Sequence, residues 1–255
     1  TDLESCRAAL LTTAPTARAL PFPLHVGSWN VMKLDRRGAR QQVVEMSRDT
    51  DLLLLQEAPS DLTLFDQLHG DHFAPGFQRA GQLTGVSMHS RLPADISCTL
   101  SFREPWLRSP KAVLALRIPG AGQSLLAINL HGINFTLGSG AYRRQLEAIE
   151  VLVRTHTGPV IVAGDFNHWN PWRRWVLEEF RAGLGLREAQ YSPDWRSRHL
   201  GSPVDSAFVR GLRVISATAA PTTRSDHNPL TVLVAPPAAP AQGSPVPGDA
   251  PSTAH

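Results

Sequence analysis

Side chains of the kinds used in acid–base and metal chemistry follow an apolar run in residues 160–169, VIVAGDFNHW. Asp165 and Asn167 lie two positions apart, directly after four small or branched apolar residues and a glycine. In an extended backbone, residues two positions apart point to the same face. An asparagine offers a carbonyl to a metal ion or an amide to a phosphate. We therefore predict that this pair faces one site.

The same arrangement recurs where other apolar runs end or begin. Asn30 ends GSWN, Glu57 ends LLLLQE, His131 ends INLH, and Asp226 and His227 precede PLTVLV. Glu57 and Asp226 offer the hard oxygen ligands that Mg²⁺ and Mn²⁺ prefer, and the two histidines titrate near neutral pH. A rigid sheet fixes such groups while loops leave space for a substrate. We therefore predict a Mg²⁺ site, with Mn²⁺ as the alternative metal.

Several other chemistries lack their sequence patterns. The chain has no HExxH motif or Cys/His cluster for zinc, no GxxxxGK[ST] phosphate loop and no GxSxG nucleophile motif. It also has no apolar run of the roughly eighteen residues needed to span a membrane. Cys6 and Cys98 lie far apart in the sequence, and both a disulfide and two unrelated thiols are compatible with them.

Short apolar runs that alternate with helical patterns must position these residues. Helical spacing of apolar residues predicts helices in residues 37–50, 138–156 and 171–182, the second with Leu146, Ile149, Val151 and Val153 available for a core face. Strands are predicted at 24–31, 51–58, 83–90, 94–102, 111–118, 124–130, 159–164, 204–211, 212–220 and 229–234. No long helical pattern interrupts residues 83–129, which favours antiparallel pairing there. Strands interleaved with helices in one domain indicate packed sheets with helices outside.

The order of the motifs resembles the endonuclease/exonuclease/phosphatase superfamily, which has the deoxyribonuclease I-like fold. The similar segments are GSWNV, LLLLQE, INLHGINF, VAGDFN, PVDSAFVRG and SDHNPL, and they extend from about residue 24 to residue 234. The segments NLHGINF and EPWLRSPK are most similar to those of a bacterial branch of small proteins in this superfamily. The resemblance implies a four-layer α/β sandwich of two mixed, largely antiparallel sheets with outer helices. It also implies metal-dependent hydrolysis of a phosphoester.

The resemblance implies a metal site and an acid–base site. Glu57 is similar to the principal metal ligand, supported by Asn30 and Asp226. A turn cap is the alternative for Asn30.

The acid–base residues implied by the resemblance come from four segments. Asp165 is expected to orient or deprotonate the attacking water, and Asn167 to donate a hydrogen bond to the phosphate. By the resemblance, His227 is expected to polarise the phosphoryl group or assist proton transfer, and Asp205 to orient that histidine. His131 is similar to a second catalytic histidine and is expected to protonate the leaving oxygen. A surface turn is the alternative for Asp205.

Four further residues are candidates for substrate binding. Lys111 opens a strand and is expected to face the cleft, Asn134 and Arg143 to line the phosphate path, and Trp169 to stack on a base at the mouth of the site. A solvated helix surface is the alternative for Arg143, and a packing role is the alternative for Trp169.

The composition favours an anionic substrate. The formal net charge is only +3, but the pI is about 9.3 and all basic residues except Lys33 and Lys111 are arginines. Arginine binds phosphate with two parallel hydrogen bonds, although a GC-rich genome explains the same bias. We expect a nuclease acting on DNA. The alternatives are hydrolysis of a lipid, inositol or other small phosphoester, and a non-catalytic binding module on this fold.

The chain divides by composition into three parts. Residues 1–22 are expected to form a lead-in, residues 23–235 the endonuclease/exonuclease/phosphatase domain, and residues 236–255 a disordered tail rich in proline and alanine. We expect a monomer without a protein partner, in a bacterium, and exported to the periplasm or beyond rather than cytoplasmic.

Overall fold

The computed structural model describes residues 1–62, 71–79, 81–134, 136 and 138–238. Its α-helices are α1 (Leu3–Leu10), α2 (Ala39–Asp49), α3 (Gly140–Thr155) and α4 (Pro171–Gly183). Its strands are β1 (Leu24–Asn30), β2 (Leu52–Pro59), β3 (Asp71–Arg79), β4 (Gln82–Ser90), β5 (Ile96–Arg103), β6 (Pro110–Ile118), β7 (Leu125–His131), β8 (Val160–Asp165), β9 (Arg187–Glu188), β10 (Arg198–His199), β11 (Ser202–Pro203), β12 (Asp205–Arg210), β13 (Arg213–Ala219) and β14 (Leu230–Ala235).

Twelve of these strands form two six-stranded sheets. The first sheet has the order β13-β14-β1-β2-β4-β3, and the second has the order β5-β6-β7-β8-β12-β9. Two neighbouring pairs are parallel, β1 with β2 and β7 with β8, and the helices α2 and α3 connect them. The other pairs in both sheets are antiparallel. The carboxyl ends of the two parallel pairs are the strand ends predicted to carry chemistry.

The apolar residues form three layers of core. The run of four leucines in β2 shows why: Leu52 and Leu54 pack between the two sheets, while Leu53 and Leu55 pack on the outer face with Val43 of α2. A strand that is buried on both faces reads as a continuous apolar run. A third core joins the outer face of the second sheet to α1, α3 and α4. The predicted four-layer α/β sandwich is therefore confirmed.

The short strands β9, β10 and β11 were not predicted, and two further details differ from the sequence-based prediction. β3 was not predicted, because its residues Pro75 and Gly76 are typical of loops; an edge strand tolerates proline, and the pairing with β4 is irregular between Pro75 and Gln78. In α3, Val151 is only half-buried and Leu152 is buried instead. The buried face follows the 3.6-residue period from Leu146 through Ile149 to Leu152 and Val153.

The N-terminal segment packs on the second sheet. Asp2 caps α1, and a disulfide joins Cys6 of α1 to Cys98 of β5, with a Cα–Cα distance of 5.6 Å. The structure therefore selects the disulfide from the two alternatives for the cysteines. The predicted disordered tail, residues 236–255, lies outside the described residues from residue 239 onward. Among the described residues, no helix has the length and apolar character needed to cross a membrane.

Candidate active site

The candidate site lies where strand ends of both sheets meet. In the first sheet, Asn30 of β1 is aligned with Gln56 of β2. In the second, Asp165 of β8 is aligned with His131 of β7 on one side and Asp205 of β12 on the other. The sheets are joined here directly, because Asn30 Nδ2 donates to Asp165 Oδ2 at 3.1 Å. Residues far apart in sequence thereby reach one cleft.

Asp165 and Asn167 face each other through a turn rather than an extended strand. β8 ends at Asp165, and Asn167 has a left-handed backbone with φ 49°. The backbone N–H of Asn167 donates to Asp165 Oδ1 at 3.0 Å, and its Nδ2 donates to Asp165 Oδ2 at 3.1 Å. The expected pairing is present, but the expected extended geometry is wrong. Asparagine tolerates this conformation, and the aspartate side chain stabilises it by accepting a backbone hydrogen bond.

Gly164 allows the close approach of β8 to β7 at this point. Its φ is 144°, and a Cβ atom there would lie 2.2 Å from the carbonyl oxygen of Leu130. Any larger residue would push Asp165 away from His131, so the glycine of the GDFN motif has a steric cause.

Glu57 is directed into the cleft by a β-bulge. The register between β2 and β4 shifts between Gln56 and Ala58, and Glu57 has a left-handed backbone with φ 52°. Its Oε2 lies 2.5 Å from Nζ of Lys33. Burial raises the pKa of Glu57, but His131 and Lys33 outweigh this effect and lower the pKa to about 2. Glu57 is therefore an anion that already holds one cation.

Lys33 was not predicted as a site residue. It lies in a 3₁₀ turn in which Met32, Lys33 and Leu34 all have positive φ angles between 44° and 61°. Strained backbone of this kind clusters at functional sites. The only signal in the sequence was that Lys33 is one of two lysines, three residues after Asn30.

His227 forms a charged pair with Asp205. Its Nδ1 lies 2.8 Å from Asp205 Oδ2, and its Nε2 lies 3.9 Å from Asp165 Oδ2. Burial lowers the pKa of His227, but the carboxylates of Asp205 and Asp165 outweigh it and raise the pKa to about 10. His227 is therefore an imidazolium ion at neutral pH, with Nδ1–H donating to Asp205. Its Nε2–H is directed toward the cleft.

His131, in contrast to His227, is neutral near pH 7. It is buried, and Lys111 Nζ donates to its Nε2 at 2.7 Å. Burial and the Lys111 ammonium lower the pKa of His131 to about 4. Its Nε2 also lies 3.5 Å from Asp165 Oδ2 and 3.8 Å from Glu57 Oε1. Burial also lowers the pKa of Lys111, although the carboxylates of Glu104, Asp165 and Glu57 oppose this effect.

The donors in the cleft fit a divalent metal ion. Carboxylates of Glu57 and Asp165 supply oxygen atoms of the kind that Mg²⁺ and Mn²⁺ prefer, and the Lys33 ammonium lies beside Glu57, where a positive charge is favoured. Asn30 donates through Nδ2 to Asp165, and its Oδ1, a further oxygen donor, accepts from the backbone N–H of Met32. Ligand atoms of Asp165, Asp205 and His227 also lie within 4.8 Å of one another.

Asp226, the third predicted metal ligand, is exposed. Its Oδ1 accepts a hydrogen bond from Ser225 at 3.2 Å, and its charge helps to raise the pKa of His227. It therefore lies at the rim of the cleft, beside His227.

The four predicted substrate-binding residues differ in position. Lys111 lies in the cleft beside His131. Asn134 lies at its edge, where its Oδ1 accepts from Trp169 Nε1 at 2.8 Å. Trp169 is half-buried, with the Arg173 guanidinium 5.2 Å from its ring centroid, so it packs rather than presents a free face. Arg143 is not brought to the cleft; it pairs with Glu179 between α3 and α4 at 2.9 Å.

Arg173 connects two loops of the site. It was not predicted as a site residue from the sequence. It is fully buried, and its Nη1 donates to the carbonyls of Ile133 at 2.6 Å and Asn167 at 2.9 Å. Its Nη2 donates to the carbonyl of Asn134. A signal was available, because Arg173 lies on the same helical face as the core residues Val176, Leu177 and Phe180.

A cavity of about 320 Å³ adjoins the catalytic cleft. At one end it is lined by Lys33, Glu57, Lys111 and His131, and its other walls include Phe77, Val86 and Leu107. It therefore combines charged groups with apolar surface.

Known proteins are similar to this chain in both sequence and fold. The model of the endonuclease/exonuclease/phosphatase family matches residues 27–227. A UPF0294 protein from Vibrio cholerae is 41% identical over 210 residues, which cover 80% of this chain and 75% of that protein.

Two solved structures have the same fold at low identity. The catalytic domain of human Nocturnin, with a bound sulfate anion, has a TM-score of 0.66 and 18% identity, covering 85% of this chain and 96% of that one. Sphingomyelinase C from Streptomyces griseocarneus has a TM-score of 0.58 and 15% identity, covering 83% and 99%. The chain therefore belongs to the endonuclease/exonuclease/phosphatase family, whose members are divalent-metal-dependent phosphoester hydrolases.

Proposed function

We propose that this protein hydrolyses phosphodiester bonds of nucleic acid with the help of Mg²⁺ or Mn²⁺. The observation that carries the proposal is the position of Asp165, which lies within 4 Å of both His131 and His227 and is hydrogen-bonded to Asn30 and Asn167. One carboxylate thus lies between a charged histidine, His227, and a neutral one, His131. In-line hydrolysis needs a proton acceptor for water and donors for phosphate oxygens at one place.

The roles follow from these charge states. Burial raises the pKa of Asp165, which makes it a better proton acceptor for the attacking water. His227 donates through Nε2 to a phosphoryl oxygen, while Asp205 holds its ring in position. Lys111 lies on the opposite side, next to His131, where an ammonium neutralises the leaving oxygen.

The metal would be held by Glu57 with Asn30, and Asp226 lies at the rim nearby. When bound, a divalent ion neutralises charge on the non-bridging phosphate oxygens. Lys33 pairs with Glu57 and therefore lies beside the oxygen atoms that would hold the ion.

Nucleic acid is favoured as the substrate by the basic pI of about 9.3, which rests on arginine. A second candidate is a lipid or another phosphodiester with an apolar group. It is supported by the apolar part of the cavity, where Phe77 and Leu107 lie in the same cavity as Glu57.

The deciding experiment compares substrates under the same conditions. Plasmid DNA, a synthetic phosphodiester and phospholipid vesicles are incubated with the protein in Mg²⁺ and in EDTA. We expect nicking of the plasmid in Mg²⁺ only. Cleavage of the diester and the lipid, but not of the plasmid, would favour the second candidate substrate, a lipid or another phosphodiester with an apolar group. Mg²⁺ binding without cleavage of any substrate would indicate a binding module.

Two variants and one control assign the cleavage to the site. Glu57→Gln and His227→Gln are expected to lower kcat/KM by about 10³-fold, since each removes a charge used in the transition state. Glu147→Gln removes an exposed carboxylate of α3 and should leave the rate unchanged. Metal binding provides a second readout: Mn²⁺ should raise the Tm of the wild type but not of Glu57→Gln.

A further inference from the structure

Two tryptophans at the start of α4 are among the most exposed large apolar side chains of the described residues. Trp172 is 70% exposed and Trp175 is 54% exposed. Together with Pro171 they line a shallow slot of about 280 Å³. Residues three apart on a helix lie side by side, with Cβ atoms about 5–6 Å from each other. The slot is therefore flanked by two indole rings.

This slot is held close to the catalytic cleft. α4 begins at Pro171, four residues after Asn167. The neighbour of Trp172, Arg173, donates to the Asn167 carbonyl at 2.9 Å. Asn170 caps the helix by accepting from the Arg173 backbone N–H at 2.9 Å. Because these bonds fix the helix start to the GDFN loop, the slot and Asp165 belong to one rigid unit.

The surroundings of the slot are suited to an anionic chain. The Arg143 guanidinium, which pairs with Glu179, lies 5.2 Å from the Trp175 ring centroid on one face, and the ring remains 54% exposed. Arg144 and Arg174 are exposed, and neither has an ion pair with a carboxylate among the described residues. Exposed indole rings together with exposed arginines of the adjoining helices α3 and α4 are a combination suited to single-stranded nucleic acid, since the bases stack and the phosphates contact arginine.

A bilayer surface explains the slot less well. The exposed large apolar surface of α4 is confined to Pro171, Trp172 and Trp175, because Glu178 and Glu179 are exposed directly after them. A helix that lies in a membrane interface has an apolar face along its length, and acidic groups beside it are repelled by anionic lipid. A small planar group therefore fits the slot better than acyl chains.

We propose that the slot formed by Pro171, Trp172 and Trp175 binds an unstacked nucleobase near the phosphate to be cleaved, and so makes the enzyme selective for single-stranded nucleic acid. The inference rests on the proposed nuclease function. In a duplex the bases are stacked and paired, so they cannot enter the slot without an unstacking cost of a few kcal/mol.

The test uses the double variant Trp172→Ala/Trp175→Ala. Its matched control is Trp106→Ala, which removes a tryptophan of similar exposure, 60%, from the β5–β6 loop. We expect the double variant to lower kcat/KM for a single-stranded oligonucleotide by about 10- to 100-fold, the effect of losing one stacked base. Cleavage of the same sequence as a duplex, and of the synthetic diester, should stay within about twofold. Equal losses on all substrates, or no loss, would overturn the inference.

Binding in EDTA separates this inference from the nuclease proposal. The single-stranded oligonucleotide should quench tryptophan fluorescence of the wild type, and the double variant should bind it at least about 10-fold more weakly. If the wild type cleaves only the synthetic diester, the nuclease proposal fails, and this binding result alone decides whether the slot takes a base. Unchanged oligonucleotide binding, with loss of binding to vesicles of phosphatidylcholine and phosphatidylglycerol, would identify a membrane contact and refute the base slot.

Discussion

At the scale of single residues, the site contains three non-glycine residues with left-handed backbone. Lys33, Glu57 and Asn167 have φ angles of 61°, 52° and 49°. Each such conformation costs of the order of 1–3 kcal/mol and persists only where surrounding contacts hold it. Here the contacts are the Lys33–Glu57 ion pair and the hydrogen bonds from Asn167 to Asp165. Strain and charge are therefore concentrated in the same few positions.

The Asp205–His227 pair gives a prediction at this scale. Asp205→Asn keeps the shape of the side chain but removes the charge that orients the His227 imidazolium. We expect kcat for the synthetic diester to fall by about 10²- to 10⁴-fold, as for carboxylates that orient a catalytic histidine elsewhere. Asp95→Asn is the control, because it removes a carboxylate that pairs with Arg117 outside the cleft. A rate for Asp205→Asn equal to that of the control would contradict the assigned role.

His168 gives a second prediction, for stability. It is buried, and burial together with Arg196 and Arg174 lowers its pKa to about 4. Between pH 4 and 6.5 the unfolded chain therefore binds a proton that the folded chain does not. His168 therefore does not lower the free energy of unfolding above pH 6.5. As the pH falls from 6.5 toward 4, the free energy of unfolding decreases, by at most about 3 kcal/mol.

The measurement is urea unfolding of the wild type and of His168→Gln from pH 4 to 7. The slope of the unfolding free energy against pH should be smaller in the variant, and exposed His199→Gln provides the control. Parallel curves for the wild type and His168→Gln would show that His168 titrates normally in the folded protein.

At the scale of secondary-structure elements, two parallel strand pairs and one helix start position the site. The pairs β1–β2 and β7–β8 bring Asn30 and Glu57 to one side of the cleft and His131 and Asp165 to the other. The start of α4 is attached to both loops of the second sheet through the buried guanidinium of Arg173. The loops are thereby fixed by a helix rather than by their own sequence.

Arg173→Lys tests this attachment. A lysine ammonium lacks the planar fork that reaches the carbonyls of Ile133, Asn134 and Asn167 together. We expect a loss of about 2–4 kcal/mol of unfolding free energy, because buried acceptors remain without donors. Hydrogen exchange at residues 132–134 and 166–168 should become faster, while exchange in β1 and β2 should not. Arg154→Lys, at an exposed pair with Glu150, is the control; equal effects of both variants would argue against the attachment.

At the scale of the whole molecule, charge is nearly balanced. The net charge is only +3, and many arginines pair with carboxylates, as Arg196 does with Glu188 and Asp194. Nucleic acid binding should therefore depend on a few local arginines rather than on a strong overall field. This distribution favours contact with a short stretch of substrate.

The salt dependence of binding checks this expectation. If about three to five phosphates are neutralised, the slope of log K against log[salt] for a single strand should be about −2 to −4. Fluorescence anisotropy of a labelled oligonucleotide in EDTA, at about 50 to 200 mM salt, measures this slope. A slope near −8 would indicate an extended basic groove, and a slope near zero would indicate that phosphates are not contacted.

The sequence by itself indicated packed sheets with outer helices and most of the cleft residues, and the resemblance of its motifs to the superfamily implied the four-layer sandwich. Apolar periodicity fixes where each strand begins and ends, and that property is local. The cleft residues at or near these strand termini are Asn30, Glu57, His131, Asp165 and Asp205. The order of the motifs then indicated the family. The edge strand β3 was missed because Pro75 and Gly76 give a local signal for a loop.

Only the tertiary structure decided how these residues interact. Lys33 pairs with Glu57 across 24 positions, Asn30 with Asp165 across 135, and His227 with Asp205 across 22. Such contacts depend on sheet register, a bulge and a left-handed turn, which no periodicity encodes. The same applies to tryptophan exposure: Trp169 is covered by Arg173, whereas Trp172, three residues later, faces solvent. Charge states follow burial and neighbours, so the sequence supplied the groups and the packing set the protonation of His131 and His227.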